Sequence, residues 1–256
     1  MFVNSLSVIF PAYNEEHNIT KTVESARAVL SQVAKKWEII IVNDGSRDDT
    51  QRICEELADS MPEVRVVQHP QNRGYGAALK SGICAARHEL IFFSDSDGQF
   101  DLGELPKFLE YTDQYDIVAG YRAKRQDPLH RLINAWGWNM LVRALLGIRV
   151  RDIDCAYKVF RREVFERIQI RAVGAMVNTE ILAQAMKFGM KIKELEVRHL
   201  PRCFGRSTGA NVFVICKAFR ELVLLWGKMA SVSDDQEGLF VKSDRAIPEF
   251  KPAVGV

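Results

Sequence analysis

Short unbroken apolar runs alternate with amphipathic stretches through the first half of the 256-residue chain. LSVIF (6–10), EIIIV (38–42), VRVV (64–67), LIFF (90–93) and DIVAG (116–120) read as strands. They are continuous rather than alternating, which calls for strands covered on both faces. Helical patterns lie between them, at roughly 15–34, 48–60, 74–88 and 102–113. The helix at 48–60 is expected to start near Ser46, Arg47 and Asp48, with Thr50 close by. Strand–helix–strand repetition of this kind builds an α/β fold with a mainly parallel sheet flanked by helices.

Such sheets gather ligands beyond the carboxyl ends of their strands. Three polar stretches fall there: PAYNEE (11–16), NDGSRDDT (43–50) and SDSDGQ (94–99). The third is the most demanding. A buried-looking strand, HELIFFS, runs straight into Asp95 and Asp97, one residue apart. Like charges that close repel, and burial raises the cost unless something positive sits between them. A lone DxD is short and common, and usually caps a helix or bonds backbone N–H groups. Here it follows a buried strand and precedes Gln99, a further oxygen ligand. Magnesium or manganese favours oxygen donors, commonly one or two carboxylates plus substrate phosphates. Such an ion would relieve the repulsion and neutralise a diphosphate leaving group.

The other two stretches leave alternatives open. Asp44 suits the N–H groups of a nucleobase, or serves an Asp-Gly turn. Tyr13 can lie against a base or ribose and Glu15 can hold a hydroxyl, or the segment simply caps the next helix. HPQNRGYGAALKSG (69–82) carries a glycine turn into a helix but lacks the GxxxxGK[ST] spacing, and no strand ends in GxGxxG.

Beyond residue 121 the pattern changes. A basic stretch, YRAKRQDPLHR (121–131), leads into the helix-like AWGWNMLVRALLGI (135–148). RDIDCAYKVFRREVF (151–165), a helix near 174–188 and the strand-like KIKELEVRHL (191–200) follow. Trp136, Trp138, Met140, Leu141, Leu145 and Leu146 are too apolar for a helix wholly in water. They pack in a core or lie at a membrane interface, and residues 211–229 pose the same choice. That segment is interrupted by Lys217, Arg220 and Glu221, so it does not read as a span of about 20 apolar residues. The polar stretch from 231 to 256 reads as a flexible tail. A net charge of +2 gives no reason to expect a nucleic-acid partner. Five scattered cysteines without a CxxC pair fit a reducing, cytoplasmic setting, and MFVNSLSVIFPAYNEE reads as a strand rather than a leader.

SVIFPAYNEE, EIIIVNDGSRDDT, NRGYGAALKSG and FFSDSDGQF together resemble, in order and spacing, the inverting family-two glycosyltransferases of GT-A (Rossmann-like) fold. DIVAGYR, a basic residue before RLINAWGWN, and RDIDCAYKVFRR are similar to the dolichyl-phosphate mannosyltransferase branch and its bacterial polyprenyl-phosphate relatives. The resemblance implies a domain over 1–230, its nucleotide-sugar half at 1–120 and its acceptor half, with amphipathic C-terminal helices, at 121–230. It implies transfer of a sugar from a nucleotide diphosphate sugar, GDP-mannose or a UDP-sugar, to a polyprenyl phosphate, with inversion and with Mg2+ or Mn2+. It also implies a membrane surface at the cytoplasmic face as partner, with room for a small membrane protein.

Residue by residue, the resemblance sets Pro11, Tyr13, Glu15, Val42 and Asp44 against the nucleoside, and Asp95, Ser96 and Asp97 against the sugar nucleotide. Asp97 and Gln99, with Asp95 nearby, would hold the metal. Arg122, Arg131 and Arg202 would grip phosphates, Arg122 and Arg131 at the reacting centre beside Asp95 and Asp97. Asn134 stands in the acceptor-phosphate region where the family often has Ser, and Thr208 where it often has Lys. A lipid phosphate is largely anionic at neutral pH and needs cationic positioning rather than a strong base. Two other readings stay open: a hydroxyl acceptor, with Glu180 or Asp154 as base, and a sugar-nucleotide-binding module without catalysis.

Overall fold

The computed structural model describes residues 2–122, 129–202, 204 and 219–227; of these, the side chains at 129–136 and 139 are not described. Seven strands form one sheet: β1 (Val3–Ala12), β2 (Ala34–Asn43), β3 (Val64–Gln68), β4 (Leu90–Phe93), β5 (Ile117–Arg122), β6 (Lys158–Arg161) and β7 (Ile192–Val197). Their order across the sheet is β3-β2-β1-β4-β6-β5-β7. All neighbouring pairs are parallel except β4–β6 and β5–β6, so β6 alone runs against the rest.

The continuous apolar runs divide residue by residue between two cores. Leu6, Val8 and Phe10 of β1, Ile39 and Ile41 of β2, and Leu90 and Phe92 of β4 face one cluster. Ile9, Ile40, Val42, Ile91 and Phe93 face the other. Successive strand residues point to opposite faces, so only a sheet covered twice accepts an unbroken apolar strand. Each fully buried Ile or Phe here contributes about 1.5–3 kcal/mol.

Helices α1 (Ile19–Val33) and α2 (Thr50–Ser60) cover the first face. α3 (Tyr75–Ala85) and α7 (Val177–Lys187) cover the second. α4 (Leu105–Leu109) follows a short 3-10 turn, α5 spans Leu129–Leu146, and α6 (Arg162–Arg167) follows β6 directly. A Cβ on Gly82 of α3 would lie 2.4 Å from Ile9, so glycine is what lets this helix settle onto β1.

The five expected strands of the first half form, as do the helices between them, with 102–113 reduced to the 3-10 turn and the five-residue α4. RDIDCAYKVFRREVF contains the antiparallel β6 and then α6. A third cluster joins Val142 of α5 to Leu222 and Leu225 of the helical segment 219–227, with Trp138 packed against it. The inner side of the Trp-rich helix is therefore core, while Met140 and Leu141 face outward. The 231–256 tail and the basic stretch at 123–128 lie outside the described residues.

Candidate active site

The chain lays β1, β2 and β3 in one direction, then crosses to place β4 on the other side of β1. The crevice between the carboxyl ends of β1 and β4 is thus the topological switch point, where open α/β sheets bind ligands. PAYNEE leaves β1 and SDSDGQ leaves β4 at this crevice.

The loops after β1 and β2 lock onto each other. The Asn14 N–H donates to Ser46 Oγ at 3.0 Å and the Arg47 N–H donates to Asn14 Oδ1 at 2.8 Å. The Glu15 N–H donates to Thr50 Oγ1 at 2.8 Å, and the Asp49 N–H to Glu16 Oε2 at 2.9 Å. Asp48 in turn accepts from the Thr50 hydroxyl at 2.6 Å. Gly45 sits at φ +66, where a Cβ would lie 2.3 Å from the Gln71 carbonyl carbon. Only glycine permits both that backbone conformation and that approach.

Asp44 has a role that its sequence context did not reveal. Its carboxylate accepts from the Arg73 N–H at 2.9 Å and the Gly74 N–H at 2.8 Å, and pairs with His69 Nδ1 at 2.6 Å. His69 Nε2 reaches Ser81 Oγ at 2.9 Å. Asp44 therefore ties β2 to the turn that opens α3. The Val42 side chain is fully buried in the second core, so a nucleoside contact there would fall to its backbone. Pro11 is buried as well, and its carbonyl accepts from Ser96 Oγ at 2.7 Å. Tyr13 is half-buried at the crevice mouth.

The acidic turn is the electrostatic centre. Ser96 is anchored twice, through its hydroxyl to Pro11 and through its carbonyl, which accepts from Thr22 Oγ1 at 3.1 Å. Asp97 accepts from the Gln99 N–H at 3.0 Å. Burial, and then the neighbouring Asp97, push the Asp95 carboxyl up to about 7; Tyr75, Arg122 and Lys158 offset part of that. The buried Tyr75 hydroxyl faces Asp95 closely enough to act on it, yet without a hydrogen bond of ordinary geometry.

Arg202 enters from the far end of the chain. Its Nη2 donates to Glu15 Oε1 at 2.7 Å and stands 3.3 Å from Asp97 Oδ2. Among the described residues, its buried Nε meets no acceptor. Burial raises the Glu15 carboxyl above its usual range, despite the hydrogen bond from Asn18 and the charge of Arg202. Gln99 holds this returning segment in place: its Nε2 donates to the Leu200 carbonyl at 3.1 Å, and the Leu200 N–H donates to the Gln99 carbonyl at 2.7 Å.

Arg122 is held by a carboxylate. Its Nε and Nη2 fork onto Asp152 at 2.7 and 2.9 Å. Burial works to raise Asp152, but this fork outweighs it and leaves the carboxyl lowered. Beneath the same loop, the fully buried Lys158 donates to the carbonyls of Ile153 and Cys155 and to Asn178 Oδ1. Desolvation lowers its pKa. Asp152, Lys158, Asn178 and His69 were missed as functional candidates. The signals were a carboxylate within an apolar run, DIDC, and a lysine inside the strand-like AYKVF.

Glu180 is tied to backbone through one of its oxygens. Its Oε2 accepts the N–H groups of Arg171 and Ala172, both at 2.8 Å, which fixes the loop whose Val173 carbonyl caps the start of α3. Asp154 is exposed. Pro11, Glu15, Asp95, Ser96, Asp97, Gln99 and Arg202 thus converge at one crevice, with Arg122 beside it through its charge on Asp95. Arg131 and Asn134 lie on α5, but their side chains are outside the described residues, as is Thr208.

This sheet order, with an acidic turn at its switch point, defines a GT-A-type α/β domain. The sequence model of glycosyl transferase family 2 matches residues 7–169, and the chain belongs to that family. Among curated proteins it is similar to an undecaprenyl-phosphate 4-deoxy-4-formamido-L-arabinose transferase of Pectobacterium carotovorum, 34% identical over 80% of this chain and 62% of the relative. It is 33% identical to a dolichyl-phosphate beta-glucosyltransferase of Trichomonas vaginalis, over 75% of this chain and 64% of that protein. The chain thus spans less than two thirds of the length of these relatives. A crystal structure of glucosyl-3-phosphoglycerate synthase from Mycobacterium tuberculosis, in complex with Mn2+, UDP and glucosyl-3-phosphoglycerate, superposes with a TM-score of 0.67. It is 20% identical, and the match covers 90% of this chain and 81% of that one.

Proposed function

We propose that this protein transfers a sugar from a nucleotide diphosphate sugar to a polyprenyl phosphate, with inversion, at a membrane surface on the cytoplasmic side. The observation that carries the reading is the acidic turn at the β1/β4 crevice, with Asp95 raised to about 7 beside Asp97 and the Arg202 guanidinium 3.3 Å from Asp97. The names of the relatives support the acceptor class.

The donor set suits a hard divalent cation. Asp95 and Asp97 are two carboxylates whose mutual repulsion remains only partly relieved. Among the described residues, no three His, Cys, Asp or Glu side chains converge on a metal site. Two carboxylates completed by substrate phosphates is the arrangement Mg2+ commonly uses. Asp95 and Asp97 would hold it, and it would supply charge neutralisation of the departing diphosphate. The Gln99 Nε2 donates to the Leu200 carbonyl and clamps the Arg202 segment, while its Oε1 is the atom that would join Asp95 and Asp97 at the ion.

The chain's own residues do the rest. The locked loops around Tyr13 and Glu15 set the nucleoside end of the crevice. Asp44 keeps the β2 loop and the start of α3 in register. The unpartnered Nε of Arg202 supports an anionic oxygen at that position. Asp152 aims Arg122, whose charge acts on Asp95. An acceptor phosphate oxygen then attacks the anomeric carbon from the face opposite the diphosphate. The carbon–oxygen bond to the diphosphate breaks, and the nucleoside diphosphate leaves with that electron pair. A dianionic phosphate needs no base, and Glu180 is committed to its loop.

The test is a transfer screen in detergent: several radiolabelled sugar nucleotides, polyprenyl phosphate or polyprenol as acceptor, with and without Mn2+. Label is expected in the phosphate lipid alone. Equal labelling of polyprenol would overturn the acceptor assignment. Glu180→Gln should keep most of its activity, because the amide oxygen can accept the same two N–H bonds.

A further inference from the structure

LHRLINAWGWNMLVRALLGIRVR (129–151) carries four arginines and no acidic residue. Three of them, Arg143, Arg149 and Arg151, line a cavity of about 490 Å³ where α5 ends and the chain turns through Gly147 and Ile148. Arg143 holds the turn together: its Nε and Nη2 donate to the Val150 carbonyl at 3.1 and 2.7 Å, and Nη2 also donates to the Arg151 carbonyl at 3.0 Å. The Arg151 guanidinium lies 4.8 Å from the Tyr121 ring centre. The one acid lining the cavity is Glu194, and it already accepts the Arg151 N–H at 2.6 Å. Among the described residues, the cavity lining thus sets three guanidinium groups against one carboxylate.

This cavity adjoins an apolar face. Along α5, Gly137, Met140, Leu141 and Ala144 are exposed at helical spacing, and exposed Arg143 borders them. The neighbouring helical segment, joined to α5 through Phe219 and Trp138 at 5.0 Å, exposes Phe219, Val223, Leu224 and Trp226. Among the described residues, six of the ten exposed large apolar side chains thus sit on two adjoining segments. Contiguous exposed apolar surface marks an interaction site, and an apolar face bordered by arginines matches a bilayer surface carrying anionic head groups. The cavity is roomy for a phosphodiester, since a water occupies about 30 Å³ in the liquid.

We infer that, on the membrane surface proposed above, the Arg143–Arg149–Arg151 cavity takes the phosphate of an anionic phospholipid head group beside the exposed faces of α5 and residues 219–227. The inference rests on the membrane-surface placement proposed above and adds a lipid-charge requirement separate from the acceptor. It makes the lipid composition, and not the acceptor alone, a determinant of where the protein resides.

The full chain is spun with vesicles of phosphatidylcholine alone, or of phosphatidylcholine with phosphatidylglycerol, lacking polyprenyl phosphate and donor. Binding should favour the anionic vesicles by tenfold or more and weaken with added salt. Arg149→Gln, at an exposed side chain, should weaken anionic-vesicle binding about five-fold, and Arg149→Gln with Arg151→Gln about 25-fold. Val223→Ser with Trp226→Ser should weaken binding to both vesicle types. Thermal melts check that each variant is folded, and the single Arg149→Gln carries the test if the double variant is not. Equal binding to both vesicle types, or unchanged binding by Arg149→Gln, overturns the inference. Transfer to polyprenyl phosphate in detergent is measured on the same variants. Its persistence with charge-indifferent binding rejects the lipid site and leaves the proposed function standing; its absence with charge-selective binding does the reverse.

Discussion

Asp95→Asn should stabilise the metal-free protein at alkaline pH while abolishing transfer. An ordinary Asp titrates at 3.8, and in the folded protein Asp95 is raised to about 7 by burial and by Asp97. Between those values the folded chain keeps a proton that the unfolded chain releases, so this group's contribution to stability falls as pH rises. Below 3.8 both states are protonated and there is no penalty. Above 7 the penalty is complete, on the order of 4 kcal/mol at 1.36 kcal/mol per unit. Asn resembles the protonated carboxyl and carries no such penalty. Urea melts of both proteins in EDTA, from pH 4 to pH 8 in roughly unit steps, should show equal stability at the acid end and a growing advantage for Asp95→Asn toward the alkaline end. Adding Mn2+ at pH 8 should stabilise the wild type, since binding to the folded state alone raises its stability, and should leave the variant nearly unchanged. A variant less stable than wild type at pH 8 in EDTA would refute the reasoning, because Asp95 would then be an ion held favourably rather than a charge awaiting a partner.

Asp152→Asn leaves the fork of Arg122 buried against a neutral amide and should cost about 3–5 kcal/mol. The folded Asp152 is lowered, so its contribution is present above 3.8 and is lost as pH falls through the folded value; the difference in urea midpoint should therefore shrink in acid. Gly45→Ala meets the Gln71 backbone at 2.3 Å with φ +66 and should lower stability by about 2 kcal/mol or more, read as a fall in melting temperature. An unchanged melting temperature would mean the 44–50 loop yields more easily than its locked hydrogen bonds indicate.

Local pattern was enough for the strands and most helices. Ile39, Ile40, Ile41 and Val42 in succession state that both faces of β2 are covered, whatever covers them. The same pattern, with polar turns after β1, β2 and β4, put PAYNEE and SDSDGQ at a shared ligand-binding edge. It also drew attention to Asp95 and Asp97, because two carboxylates after a buried strand need a compensating charge.

What the sequence did not carry is partnership at a distance. Arg202 meets Glu15 across 187 residues, and Arg122 meets Asp152 across 30. Nothing in either neighbourhood specifies those pairs, because hydrogen bonds between remote segments depend on where the sheet order delivers each loop. The same holds for Val42 and Asp44. Two residues apart where β2 ends, one turns into the core and the other accepts hydrogen bonds from Arg73 and Gly74. The antiparallel β6, placed between β4 and β5, brings Lys158 beneath the Asp152 loop. Local sequence determined which segments would be buried and where charge would gather; the packing of distant segments decided which of those charges were already paired.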